Sequence, residues 1–175
     1  MTMTLVETIT VGSGGAASIE FTGIPGDGKD LLIQFSGRIH QSVSAQAAKL
    51  TFNGDTSSSN YSTVFLFGNR STVASSSAAS SNRITPFSFL QGADSTASTF
   101  GSLSCLISNY AAASNKSLSI DSVTEDNGAS VDPPRQMILA GLWANTNAIT
   151  SLTMSMDSGS LTLAENSTAS LYIIS

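Results

Sequence analysis

Few residues in this 175-residue chain have the types and spacing that chemistry needs. It contains one histidine, His40, and one cysteine, Cys105. A lone imidazole has no second one to complete a metal site, and His40 closes an alternating run on its polar side, as a surface residue does. Cys105 is in phase with Leu103 and Ile107, which makes it a small core residue and excludes an intrachain disulfide. Acid–base catalysis would need two of the twelve carboxylates to converge in a pocket. Most instead sit in turns (Asp27, Asp55, Asp126, Asp132, Asp157), where Asp bonds its own backbone. Gly12-Ser13-Gly14-Gly15-Ala16-Ala17 fits a dinucleotide-binding pattern, but such a site requires a helix to begin there. The period-two run Ala17, Ile19, Phe21 follows instead, so this is a hairpin connection. Asp27 with Asp30, or Glu125, Asp126 and Asn127, offer oxygen ligands without the alternating spacing of a calcium loop. The four glycosylation sequons, at Asn60, Asn69, Asn115 and Asn166, are close to the roughly three that chance supplies in so hydroxyl-rich a chain. Trp143 is expected in the core and not as a sugar-stacking platform. No catalytic residue, cofactor or metal is expected, and the chain does not read as an enzyme.

The composition narrows the class further. Only 11% of residues are charged and 41% are hydrophobic, against about 25% charged in ordinary globular proteins. Hydroxyl residues fill the difference, with 33 Ser and 18 Thr. A net charge of −5 with seven scattered Lys and Arg does not suit nucleic acid, which is bound by clustered cations. No apolar run approaches the ~18 residues of a membrane helix, and the opening Met1–Val6 lacks the basic and apolar regions of a signal peptide. The length suits one domain.

The elements that would position these residues are strands. Ala17, Ile19, Phe21; Leu31, Ile33, Phe35, Gly37, Ile39; Ala48, Leu50, Phe52; and Tyr61, Thr63, Phe65, Phe67 all alternate with polar neighbours. So do Leu103, Cys105, Ile107; Met137, Leu139, Gly141, Trp143; Leu152, Met154, Met156; and Ala169, Leu171, Ile173. Residues 4–11, 84–90 and 117–123 are weaker strands. Turn chemistry (Asn53-Gly54-Asp55, Asp126-Asn127-Gly128, Asp132-Pro133-Pro134, Asp157-Ser158-Gly159) separates the runs. No segment has a helical stripe. The expectation is an all-β, single-domain antiparallel β-sandwich over residues 1–175, wired as a jelly roll, with about ten strands and no substantial helix. Residues 71–82 and 91–99 lack apolar anchors and read as exposed loops.

Several stretches in order resemble a family. They are Ser18–Pro25, Asp30–Gln34, Leu50–Asp55, Asn60-Tyr61-Ser62, Leu66–Asn69, Gly141-Leu142-Trp143, Ala148–Leu152 and Ala169–Ile173. Together they resemble small all-β virion structural proteins of tailed bacteriophages, of the capsid decoration or cement type. The resemblance implies a non-enzymatic virion component; 175 residues hold no fibre shaft or attachment region, so a small β-sandwich suits a decoration protein on the capsid exterior, partnered by the major capsid protein and by itself as a homotrimer, without nucleic acid or membrane. Residues 1–11 form an N-terminal arm or an edge strand, with Leu5, Val6, Ile9 and Val11 as candidate interface residues. The alternatives are a tail or appendage module that binds host receptor or carbohydrate through residues 71–82 and 91–99, and a cellular carbohydrate-binding domain.

Overall fold

A computed structural model describes residues 2–127 and 135–175 of the chain. The expected Asp132-Pro133-Pro134 turn and Gly128 lie outside the described residues. Among the described residues twelve strands follow one another: β1 Met3–Thr10, β2 Ser18–Thr22, β3 Asp30–Gly37, β4 Gln46–Phe52, β5 Tyr61–Gly68, β6 Val73–Ser81, β7 Ile84–Leu90, β8 Gly101–Ile107, β9 Lys116–Thr124, β10 Arg135–Trp143, β11 Ser151–Met156 and β12 Thr168–Ile174. They form an eight-stranded sheet, β1-β12-β3-β8-β9-β10-β5-β6, and a four-stranded sheet, β2-β11-β4-β7. Every named strand pair is antiparallel.

The wiring is a jelly roll with an extension. Strands β1, β12, β3 and β8 face β2, β11, β4 and β7, and the chain crosses between the two sheets as a double Greek key does. Two hairpins are added to that frame. β5 and β6 lie between β4 and β7, β9 and β10 lie between β8 and β11, and all four continue the larger sheet beyond β8.

Alternation explains the sandwich. β9 reads buried, exposed, buried along its whole length, and β8 and β10 nearly so. The buried set includes Ile33, Leu50, Phe52, Cys105, Ile120, Trp143, Leu152 and Leu171, and their removal from water drives the two sheets together. β7 lies over the inner side of β8, β9, β10 and β5. Beyond it, Phe65 and Phe67 remain only half-buried beneath β5, so the extension overhangs the small sheet.

One expectation is corrected. Residues 71–82 are not a loop, because Val73–Ser81 is a nine-residue strand paired with β5. Its side chains face solvent or half-solvent on both sides, so Ser and Ala carry no apolar alternation that would mark it as a strand. The strand count is accordingly twelve where about ten were expected. Residues 91–99 are irregular as expected, although Gln91 and Ser95 within them are buried.

Candidate interaction surface

The two outward faces of the sandwich differ in chemistry. Among the described residues, eight large apolar side chains are exposed: Met3, Leu5, Val64, Leu66, Val73, Leu106, Val123 and Ile138. Every one belongs to the outer side of the large sheet, as the register shows. Across the sheet, Leu5, Tyr172, Leu32, Leu106, Ser119, Ala140, Val64 and Ser77 form one row. The next row runs Thr8, Ser170, Gln34, Ser104, Asp121, Ile138, Leu66 and Ser75. Hydroxyl and amide pairs tie the second row together, Thr8 Oγ1 to Ser170 Oγ at 2.8 Å and Gln34 Nε2 donating to Ser104 Oγ at 2.9 Å. The small Ser119 and Ala140 lie between Leu106 and Val64, which hollows the face into a shallow apolar trough of about 540 Å³ bordered by Leu66, Ile138 and Asp121. Among the described strand residues of this face the only charges are Asp30 and Asp121, and there is no Lys or Arg. The outward side of the small sheet instead carries Glu20 and Lys49 among Ser and Thr, around the β2, β11 and β4 pairing.

The candidate interface residues of the N-terminus separate. Residues 3–10 form an edge strand paired with β12 of the same chain. Leu5 is exposed on the outer face, Val6 is half-buried at a bulge, Ile9 packs against the core, and Val11 is buried.

Other candidate residues have structural surroundings. His40 is exposed. Cys105 is fully buried, and burial pushes its thiol up, away from the reactive thiolate. Asp30 Oδ1 accepts the Asn109 N–H at 2.8 Å, and Asp27 adds to burial in raising the Tyr110 phenol. Glu125 Oε1 accepts the N–H groups of Asp126 and Asn127, and Asp126 Oδ1 receives Arg70 Nη2 at 2.7 Å. Among the described residues, no three His, Cys, Asp or Glu side chains cluster as metal ligands. After Gly12-Ser13-Gly14-Gly15 the chain bridges to Leu163 and enters β2. Gly15 is required there: its φ is +80°, and a Cβ would lie 2.6 Å from the Leu163 carbonyl oxygen.

Two polar centres brace the ends of the sandwich. Asp55 follows the Asn53-Gly54 turn, where both residues have positive φ. Its carboxylate accepts Trp143 Nε1 and Asn60 Nδ2, each at 2.8 Å, and the Ser57 N–H at 2.9 Å. Burial pushes the Asp55 carboxyl up, but these hydrogen bonds together outweigh burial and hold it well below the usual carboxylate range. Beside it Phe52, Tyr61 and Trp143 pack ring to ring, and burial raises the Tyr61 phenol to about 12. At the other centre, Arg38 follows the last residue of β3 and is buried. Its guanidinium donates to the carbonyls of Ser95, Thr96 and Thr99 and to Thr99 Oγ1, and so gathers residues 95–99 around it.

The reading of the sequence missed two buried cations. Alternation with Gly37 and Ile39 puts Arg38 on the polar side of its run, but regular pairing ends at Gly37 and the side chain is buried. Lys116 is buried at the start of β9 and caps the carbonyls of Ala112 and Ser114. Its signal was present, since Lys116 is in phase with Leu118 and Ile120. Trp143 is a core residue, as expected.

Comparison with family models, with curated proteins and with solved structures gave no match.

Proposed function

We propose that this chain is a non-enzymatic structural protein of a tailed-bacteriophage virion. In this reading it is a decoration or cement protein that lies on the capsid exterior as an oligomer and stabilises the shell. The supporting observation is the gathering, among the described residues, of all eight exposed large apolar side chains on one face whose strand residues include no Lys or Arg. Exposed apolar area concentrated in this way marks a surface meant to be covered. Its hydroxyl residues are less costly to desolvate than charged ones would be.

The dimensions agree with that use. Eight strands at ~4.8 Å and about seven residues at ~3.3 Å give a face of roughly 900 Å², comparable to the ~800 Å² each partner contributes to a stable protein interface. The covering partner is the major capsid protein. A subunit that binds only the assembled shell shifts the equilibrium toward assembly.

Copy number tests the reading. A quantitative gel of intact virions of the phage that encodes this chain is expected to give hundreds of copies per particle. A few to a few dozen copies place it in the tail, as an appendage module binding host receptor or carbohydrate, and its absence from particles overturns the virion assignment.

A further inference from the structure

We infer that β6 is a pairing edge for a second copy of this chain, which adds antiparallel to it about a twofold axis and continues the large sheet. An edge strand presents unpaired backbone N–H and C=O groups, and proteins guard such edges with charge, proline, bulges or short length. The two sheets have four edges, and three of them carry these devices. β1 has a bulge between Leu5 and Glu7, with Glu7 itself exposed. β2 is five residues long with exposed Glu20 at its centre. β7 contains Pro86, which has no N–H to offer, and its pairing with β4 is irregular.

β6 differs from all three. It is nine residues long, without a charge or a proline, and Val73–Ala78 pairs with β5 without irregularity. Only its far end is distorted, between the Thr63 and Tyr61 partners, where Ser80 has positive φ.

The local charge pattern leaves a second copy unopposed along this edge. The chain carries −5 overall, which opposes association of two copies. Along this edge, however, there is no charge between Arg70 and Arg83, and those two are engaged within the chain, by Asp126 at 2.7 Å and by Asp157 at 2.5 Å. Antiparallel self-pairing centred on Ser76, with Ser75 of one copy opposite Ser77 of the other, therefore brings no like charges together. It also covers Val73, 83% exposed and the most exposed large apolar residue described. A strand of this length makes an edge about 30 Å long and about 10 Å thick, on the order of 300 Å² per copy, which lies in the class of weak contacts. Crowding on a particle would raise the effective concentration at which such a contact acts. A threefold ring would instead need β6 to meet a different surface of its neighbour. The inference does not depend on the broad face or on a virion.

Sedimentation velocity of the full chain from 5 to 500 µM (~100-fold, chosen to span weak association) tests it. The expected result is a monomer–dimer equilibrium, with a species of about twice the 18.0 kDa chain mass growing in over this range. Ser75→Lys with Ser77→Lys places lysines from both copies side by side and is expected to weaken the dimer on the order of a hundredfold, with the thermal midpoint unchanged because both sites are exposed. In a second variant, Ser76→Cys is expected to give a disulfide-linked dimer on mild oxidation, whereas Ser13→Cys, in an exposed turn remote from β6, does not. A monomer throughout the range, a trimer, a dimer that persists in the double-lysine variant, or equal crosslinking at both cysteines overturns the inference.

Discussion

Arg38 is a cation buried without a carboxylate among its hydrogen-bond acceptors; its guanidinium is satisfied by the carbonyls of Ser95, Thr96 and Thr99 together with Thr99 Oγ1. Removing a buried charged donor strands those carbonyls, which costs about 3 kcal/mol. Arg38→Ala should therefore lower urea stability by that amount and make residues 91–99 the first segment cut in limited proteolysis. Arg38→Lys, which keeps the charge but loses the fork, should fall between. Asp55 makes a pH-dependent contribution. Its folded carboxyl titrates below the ordinary value of about 4, so its stabilisation is complete above that value and is lost as pH falls from there through the folded pKa. Asp55→Asn should cost about 1–2 kcal/mol at pH 7 through weaker hydrogen bonds. It should also flatten the loss of stability between pH 4 and pH 3, measured as the shift in urea midpoint.

Glycines at the element ends make a sharper contrast. A Cβ on Gly92 would lie 2.1 Å from the Val43 carbonyl oxygen and 2.9 Å from that of Gln41, both backbone atoms, whereas one on Gly159 would meet nothing within 4 Å. Gly92→Ala should destabilise by about 2–3 kcal/mol, and Gly159→Ala should be neutral within about 0.5 kcal/mol, as thermal or urea midpoints will report. The legibility of the elements has the same physical basis. Strands with one buried face announce themselves by period two, so Ile19 with Phe21, Leu103 with Cys105, and Met137 through Trp143 could be placed on their faces from the sequence. β6 could not, because neither of its faces is buried enough to demand an apolar residue. The burial of Arg38 was likewise invisible, since alternation has no meaning past the end of regular pairing. The candidate interaction face was only half legible. Alternation assigns Leu66, Leu106 and Ile138 outward, but their gathering on one sheet depends on strand order, which separates residues adjacent in sequence and joins β10 to β5.

On the scale of the whole molecule, the jelly roll supplies a frame and the two inserted hairpins supply most of the distinctive surface. Among the described residues, five of the eight exposed large apolar side chains, Val64, Leu66, Val73, Val123 and Ile138, lie on β5, β6, β9 and β10. The scarcity of charge noted in the composition is thereby localised: the broad face is free of cations among its described strand residues, whereas Glu20 and Lys49 stand on the outward side of the small sheet. The most direct test of the broad face as the docking surface is co-sedimentation of purified chain with shells stripped of it. Leu66→Lys with Ile138→Lys should abolish binding at least a hundredfold, a loss of about 3 kcal/mol, with the thermal midpoint unchanged, while Glu20→Lys with Lys49→Glu should bind as the unaltered chain does. Undiminished binding by the Leu66 and Ile138 variant, or loss of binding only in the Glu20 and Lys49 variant, would contradict the account.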